Sequence, residues 1–142
     1  MHRTDLALIG GIVVALAVAG VAAAWTAARA GSGDPTRVEI DLRYSRFEPS
    51  EVRVPIGVPV TIVLQNGDPI DHEWIVGDER VHERHREGTE PVHEARPTEV
   101  SVPAGETRVT TVTFERPGTL RYVCHLPGHE AYGMSGVVVA GD

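Results

Sequence analysis

A chain of 142 residues, 42% of them hydrophobic, suffices for one compact domain plus a short appendage and is too short for several cores. Its formal charge is −7, and −8 once Arg3, Arg29 and Asp5 of the leading 30 residues are set aside. Such an acidic surface repels phosphate backbones, so no nucleic-acid partner is expected.

Leu6 to Ala28 carries no charge and is flanked by Arg3 and Arg29. That length crosses a bilayer as a helix and exceeds the apolar core of a cleaved export signal, while Trp25 suits the headgroup interface. Residues 1–30 are therefore read as a hydrophobic helix that acts as a membrane anchor or export signal. The uncleaved anchor is preferred, and cleavage at Ala28-Arg29-Ala30 is the alternative. A helix buried in the folded domain does not fit, because no polar face interrupts the valine, alanine and glycine. Both readings place the domain outside the cytoplasm: anchored to the cell membrane, or secreted or periplasmic after cleavage. Residues 31–36, containing Gly31-Ser-Gly-Asp-Pro35, read as a flexible linker to a domain spanning 37–142.

From residue 37 the pattern changes to period two. Val38, Ile40, Leu42 and Tyr44 alternate with Glu39, Asp41 and Arg43, as in a half-buried strand. Further strands are expected near 51–54, 58–65, 73–76, 98–102, 107–114, 119–124 and 136–140. Turn signals separate them, among them Glu48-Pro-Ser, Asn66-Gly-Asp-Pro and Arg116-Pro-Gly. Many short strands with little helical periodicity predict an all-β domain, a Greek-key antiparallel β-sandwich.

Between residues 77 and 97 charge replaces this alternation, and the segment reads as a solvated insertion of mixed charge. His82 and His85, three apart, would share a face if a short helix formed. With His93 they would then suit a second, weaker metal ion or a redox partner's surface. These histidines are left outside the expected site.

The most informative stretch is Tyr122-Val-Cys-His-Leu-Pro-Gly-His-Glu-Ala-Tyr-Gly-Met-Ser-Gly136. Cys124, His129 and Met134 follow one another with four residues between each pair, and Cys124 is the only cysteine in the chain. Exported proteins normally use cysteines in pairs, and a metal would protect a lone one. A thiolate, an imidazole and a thioether are the ligands of a mononuclear copper site that carries electrons, which needs one more histidine. His72 is the best candidate, because it opens a strand directly after the turn-rich Asn66 to Asp71. Cys124 would close one strand and Met134 precede the next, with Gly128, Gly133, Gly136 and Pro127 shaping the loop between them. Adjacent side chains on extended backbone point opposite ways, so His125 is read as lying behind the ligands or on the surface.

Phe47-Glu-Pro, Asn66-Gly-Asp, Asp71-His-Glu-Trp and the Tyr-Val-Cys-x4-His-x4-Met loop resemble the cupredoxin family, the plastocyanin-like small blue copper proteins. The resemblance covers about residues 37 to 140. It implies that His72, Cys124, His129 and Met134 are the four ligands of a single type 1 copper ion cycling between Cu(I) and Cu(II). The family often has asparagine after the first histidine ligand, tying two ligand loops together. Here that position is Glu73, which accepts hydrogen bonds but does not donate them when ionised, so the tether must differ or be absent.

The expected function is single-electron transfer between extracytoplasmic redox partners, such as a cytochrome or an oxidase. Pro127, Ala131 and Tyr132 would form the contact surface, and the acidic charge would steer a basic partner. The alternative is an extracytoplasmic copper chaperone or storage protein using the same ligands. No enzyme activity is expected, since one short domain leaves little room for a substrate site or a second catalytic copper. A binuclear centre would need two bridging thiolates.

Overall fold

The computed structural model describes residues 36–88, 93 and 96–141. The expected anchor at 1–30 and the linker up to residue 35 lie outside the described residues. Among the described residues, no helix is long and apolar enough to cross a membrane.

The elements in chain order are β1 (Arg37–Arg43), β2 (Arg46–Glu48), β3 (Glu51–Pro55), β4 (Pro59–Asn66), β5 (His72–Gly77), α1 (Glu79–Arg86), β6 (Glu99–Val102), β7 (Thr107–Thr113), β8 (Gly118–Val123) and β9 (Ser135–Gly141). They form two sheets, one ordered β2-β1-β4-β7 and the other β3-β9-β8-β5-β6. Alternating residues from both sheets make the core: Ile40 and Leu42 of β1, Val60, Ile62 and Leu64 of β4, Trp74 and Val76 of β5, and Val138 of β9.

The expected strands all form, and two features differ from expectation. The sheets are mixed rather than purely antiparallel, because β1 runs parallel to β4 and β3 parallel to β9. Alternation reveals which face of a strand is buried, but parallel and antiparallel neighbours satisfy it equally. The choice follows from the chain crossing to the other sheet between β1 and β4. Strand β2, only three residues long, is too short to show a period. It pairs with β1 through a tight turn at Tyr44 and Ser45, whose φ values of 54° and 53° are those of a two-residue hairpin turn.

The charged segment is the second correction, because it is not simply a solvated insertion. Asp78 caps α1 by accepting hydrogen bonds from the backbone N–H groups of Arg80 (3.1 Å) and Val81 (3.2 Å). Glu79 in the first turn and Arg84 to Arg86 in the last complement the helix dipole. His82 and His85 are buried, 1% and 8% exposed. The helix docks where Gly77 ends β5: a Cβ there would lie 2.6 Å from the Val81 Cβ, so only glycine permits this approach. A helix of two turns, polar at most positions, shows little periodicity in sequence, and its fate is set by the surface it meets.

A similar close approach sits beside the expected site. Gly136 of β9 lies opposite Tyr122 of β8, and the Tyr122 ring occupies the space a Cβ would need. That ring packs edge-on against Phe47 at 5.1 Å, and its hydroxyl donates to the Pro49 carbonyl at 2.7 Å. Gly136→Ala would force the ring off this position and cost about 1–3 kcal/mol. The expected outcome is a lower urea midpoint with an unchanged m-value; an unaltered midpoint would show that the ring yields freely.

Candidate metal centre

Strand β5 opens with His72, and Cys124 follows the last residue of the neighbouring strand β8. The pairing Ile75↔Val123 and Val76↔Tyr122 sets the register of the two strands. By the period-two rule, His72, Trp74 and Val76 lie on the core face with Tyr122 and Cys124, whereas Glu73 and His125 lie on the outer face.

On the core face three donor atoms converge. The Cys124 sulfur lies 3.2 Å from His129 Nδ1, and His129 Nδ1 lies 3.2 Å from His72 Nδ1. All three lie within 4.8 Å of one another. Met134 is fully buried at the end of the same loop. Its backbone joins the two other loop residues, since its N–H donates to the His129 carbonyl (3.0 Å) and its carbonyl accepts from the Cys124 N–H (3.2 Å). Further backbone hydrogen bonds, His129 to Leu126 (3.0 Å), Tyr132 to Gly128 (3.0 Å) and Gly133 to Glu130 (2.9 Å), close the loop on itself. Its shape is thus held before any ligand arrives.

The direction of the His72 lone pair comes from Asp68, a residue whose sequence context marks only a turn. His72 Nε2 donates to Asp68 Oδ2 at 2.9 Å, so in the neutral ring Nδ1 is left as a bare lone pair aimed at the sulfur and at His129. Asp68 also accepts from the backbone N–H groups of Tyr44 and Ser45, each at 2.8 Å. Burial works to raise its pKa, but the Ser45 N–H, the His72 ring and the Tyr44 N–H together hold the carboxyl below its usual value. A carboxylate four residues before a strand-opening histidine was the one available signal.

The other donors are likewise suited to receive a cation. Burial, joined by the electrostatic influence of the neighbouring His72, lowers the His129 pKa. Burial pushes the Cys124 thiol up to about 11, although backbone N–H groups of Glu73 and Leu126 point at the sulfur and partly offset this. Without a positive ion the sulfur therefore holds its proton at neutral pH. Lone pairs packed this tightly repel one another unless a cation or a proton sits among them. A thiolate, two imidazoles and a nearby thioether are the donor chemistry of a soft-to-borderline transition ion, so the residues present fit copper.

On the outer face Glu73 supplies a tether of its own. Glu73 Oε1 accepts from the His125 backbone N–H at 2.8 Å, so β5 and the loop are tied together by a carboxylate acceptor rather than an amide. His125 points away from Cys124, as expected of adjacent residues, yet it is not on the surface. Its Nε2 lies 2.9 Å from His82 Nδ1 and its Nδ1 lies 3.3 Å from Glu130. Burial draws the His125 imidazole down to about 4 and lowers His82 as well. Arg86 of α1 grips Glu130 with two hydrogen bonds, 2.8 and 2.7 Å, and holds its carboxyl down at about 2. Helix and loop are thereby clamped.

A sequence model of the cupredoxin-like domain matches residues 13–140. The chain belongs to the cupredoxin family. Among solved cupredoxins, it is similar to the dithionite-reduced auracyanin of the photosynthetic bacterium Roseiflexus castenholzii, with 26% identity and a TM-score of 0.66 over 78% of this chain and 100% of that one. Auracyanin A, a blue copper protein of the green thermophilic photosynthetic bacterium Chloroflexus aurantiacus, is also 26% identical, with a TM-score of 0.59 over 74% of this chain and 98% of that one. In sequence the chain is 32% identical over 97 residues to the copper-resistant cuproprotein CopI of Rubrivivax gelatinosus, which covers 66% of this cupredoxin. The match spans 59% of the length of CopI.

If Asp68 orients His72 in this cupredoxin, Asp68→Ala lowers the affinity for copper roughly 10- to 100-fold. Competition with a chromophoric chelator measures this. An affinity equal to that of the unaltered chain would remove Asp68 from any such role.

Proposed function

We propose that this cupredoxin is an extracytoplasmic electron carrier holding one copper ion with His72, Cys124, His129 and Met134. The observation that carries the reading is the His72 lone pair, turned by Asp68 toward the Cys124 sulfur and His129 Nδ1. When bound, copper would supply one-electron exchange between its +1 and +2 states.

The protein's part is to hold its donors still. Cys124 and His72 project from paired strands, and the hydrogen-bonded loop carries His129 and Met134. Fixed donors suit a centre that changes charge with little movement. The His129 ring is partly exposed, and Pro127, Ala131 and Tyr132 around it are exposed, Tyr132 to 76%. This apolar rim suits brief docking of a redox protein such as a cytochrome or an oxidase, with the net negative charge favouring a basic partner. The apolar stretch from Leu6 to Ala28 supports a place outside the cytoplasm, held at the membrane or released from it. No catalytic activity is proposed.

The likeness to CopI, named for copper resistance, favours a second reading in which the same ligands store or pass on copper. Retention separates the two: a carrier keeps its ion through repeated reduction and reoxidation, whereas a chaperone yields Cu(I) to a moderate chelator.

Copper added to the purified chain should produce an intense visible thiolate-to-copper charge-transfer band and a cupric paramagnetic resonance signal. Cys124→Ser should abolish the band. A copper-loaded chain without the band would refute the ligand assignment. With Met134→Gln, a harder amide oxygen replaces the thioether and favours Cu(II), so the midpoint potential falls. Protein-film voltammetry reads the shift, and an unmoved potential would mean that Met134 only packs.

A further inference from the structure

The outer face of the same sheet carries a second convergence of donors, beside β5 and its other neighbour β6. His85 projects from α1, Glu99 opens β6, and His93 stands in the segment between them. His85 Nδ1 donates to the Val81 carbonyl at 2.8 Å, which leaves Nε2 in the neutral ring as a bare lone pair. That Nε2 is buried, has no hydrogen-bond partner and faces Glu99 Oε2 at 3.6 Å. His93 repeats the arrangement with its nitrogens exchanged. Its Nε2 lies 3.3 Å from Glu73 Oε2, while its Nδ1 is buried, lacks a hydrogen bond and faces the same Glu99 oxygen at 3.6 Å. All three donor atoms lie within 4.8 Å of one another, and the His85, His93 and Glu99 side chains are only 2%, 9% and 4% exposed.

We propose that His85, His93 and Glu99 form a second metal site, distinct from the cysteine-containing cluster, that takes a divalent first-row ion such as Zn(II) or Cu(II). Two imidazoles and a carboxylate are borderline-to-hard donors, and they leave a coordination position for water or another ligand. Each imidazole has its remote nitrogen engaged by an oxygen acceptor, the Val81 carbonyl for His85 and the Glu73 carboxylate for His93. This is how metal-bound histidines are commonly oriented. Glu99 also meets the guanidinium groups of Arg96, at 3.0 and 3.1 Å, and Arg84, at 3.6 Å. These cations compete for the carboxylate. The Arg96 side chain is 48% exposed, so it has a route to solvent as an ion enters.

The two clusters sit back to back. Glu73 joins them, with Oε1 on the His125 N–H beside Cys124 and Oε2 on His93. The lone-pair geometry of the outer cluster does not depend on the first site's function.

Zn²⁺ and Cu²⁺ titrations of the full chain test the proposal. The chain should retain two ions after desalting, counted by elemental analysis. His93→Ala and Glu99→Gln should each weaken one of them at least tenfold, while the thiolate-to-copper band of the first site persists and reports an intact fold. With Cu²⁺, the second equivalent should add a tetragonal paramagnetic resonance signal without a thiolate band. That signal should survive Cys124→Ser and disappear in His93→Ala. Retention of only the ion that gives the thiolate band, or a second ion indifferent to both His93→Ala and Glu99→Gln, would overturn the proposal. Loss of the thiolate band alone would fault the first site and leave the second intact.

Discussion

The arrangement of the candidate copper site depends on one carboxylate. Asp68 accepts hydrogen bonds from the Tyr44 and Ser45 N–H groups and from the His72 ring. The first two hold a hairpin turn whose non-glycine residues both have positive φ, a conformation that costs energy unless its surroundings enforce it. The third turns an imidazole lone pair toward Cys124 and His129. One side chain therefore stabilises the end of β1 and β2 and sets the direction of a donor on β5. Asn66 holds Asp68 in turn, its side-chain carbonyl accepting from the Asp68 N–H at 2.9 Å. The Asn66 amide donates to the carbonyls of Ile70, Val102 and Pro103. The segment leading to His72 is thus pinned to both sheets.

The pleat of β5 and β8 then sorts the chemistry. Successive residues alternate between the core and outer faces, so Cys124 and His125 serve different clusters, as do His72 and Glu73. On the core face the buried sulfur and the His72 and His129 imidazoles lie at the edge of the apolar core, an environment that suits a soft ion. On the outer face imidazoles and carboxylates lie beneath α1, an environment of harder donors. A helix of two turns would be marginal alone. It persists because it is capped by Asp78, docked at Gly77 and clamped to the loop through Arg86 and Glu130.

Glu73 illustrates how a departure from a family pattern can preserve a mechanical role. The requirement at that position is a bridge between two strands, and the peptide N–H of His125 supplies a donor to which a carboxylate is the natural acceptor. Hydrogen-bond polarity is reversed relative to an amide that donates, and the connection remains. The free carboxylate oxygen becomes available to His93, which an asparagine amide nitrogen would not have offered.

The alternation of residues 37–44, the turn signals and the spacing of Cys124, His129 and Met134 were legible because each is local: a strand's period, a turn's backbone and a loop's ligands lie within a few neighbours. His72 was within reach for the same reason, as a strand opening after a marked turn. The parallel pairings, the Asp68 contact with a turn 24 residues earlier, and the convergence of His82, His85 and His93 on β5 and β6 were not. They depend on which distant segments the chain brings together, and a charged stretch reads as solvated until a sheet face is known to lie beneath it. Donor identity is thus written in the order of residues, whereas the orientation and grouping of those donors arise from packing, because a lone pair acquires a direction only when a second, remote group holds the ring.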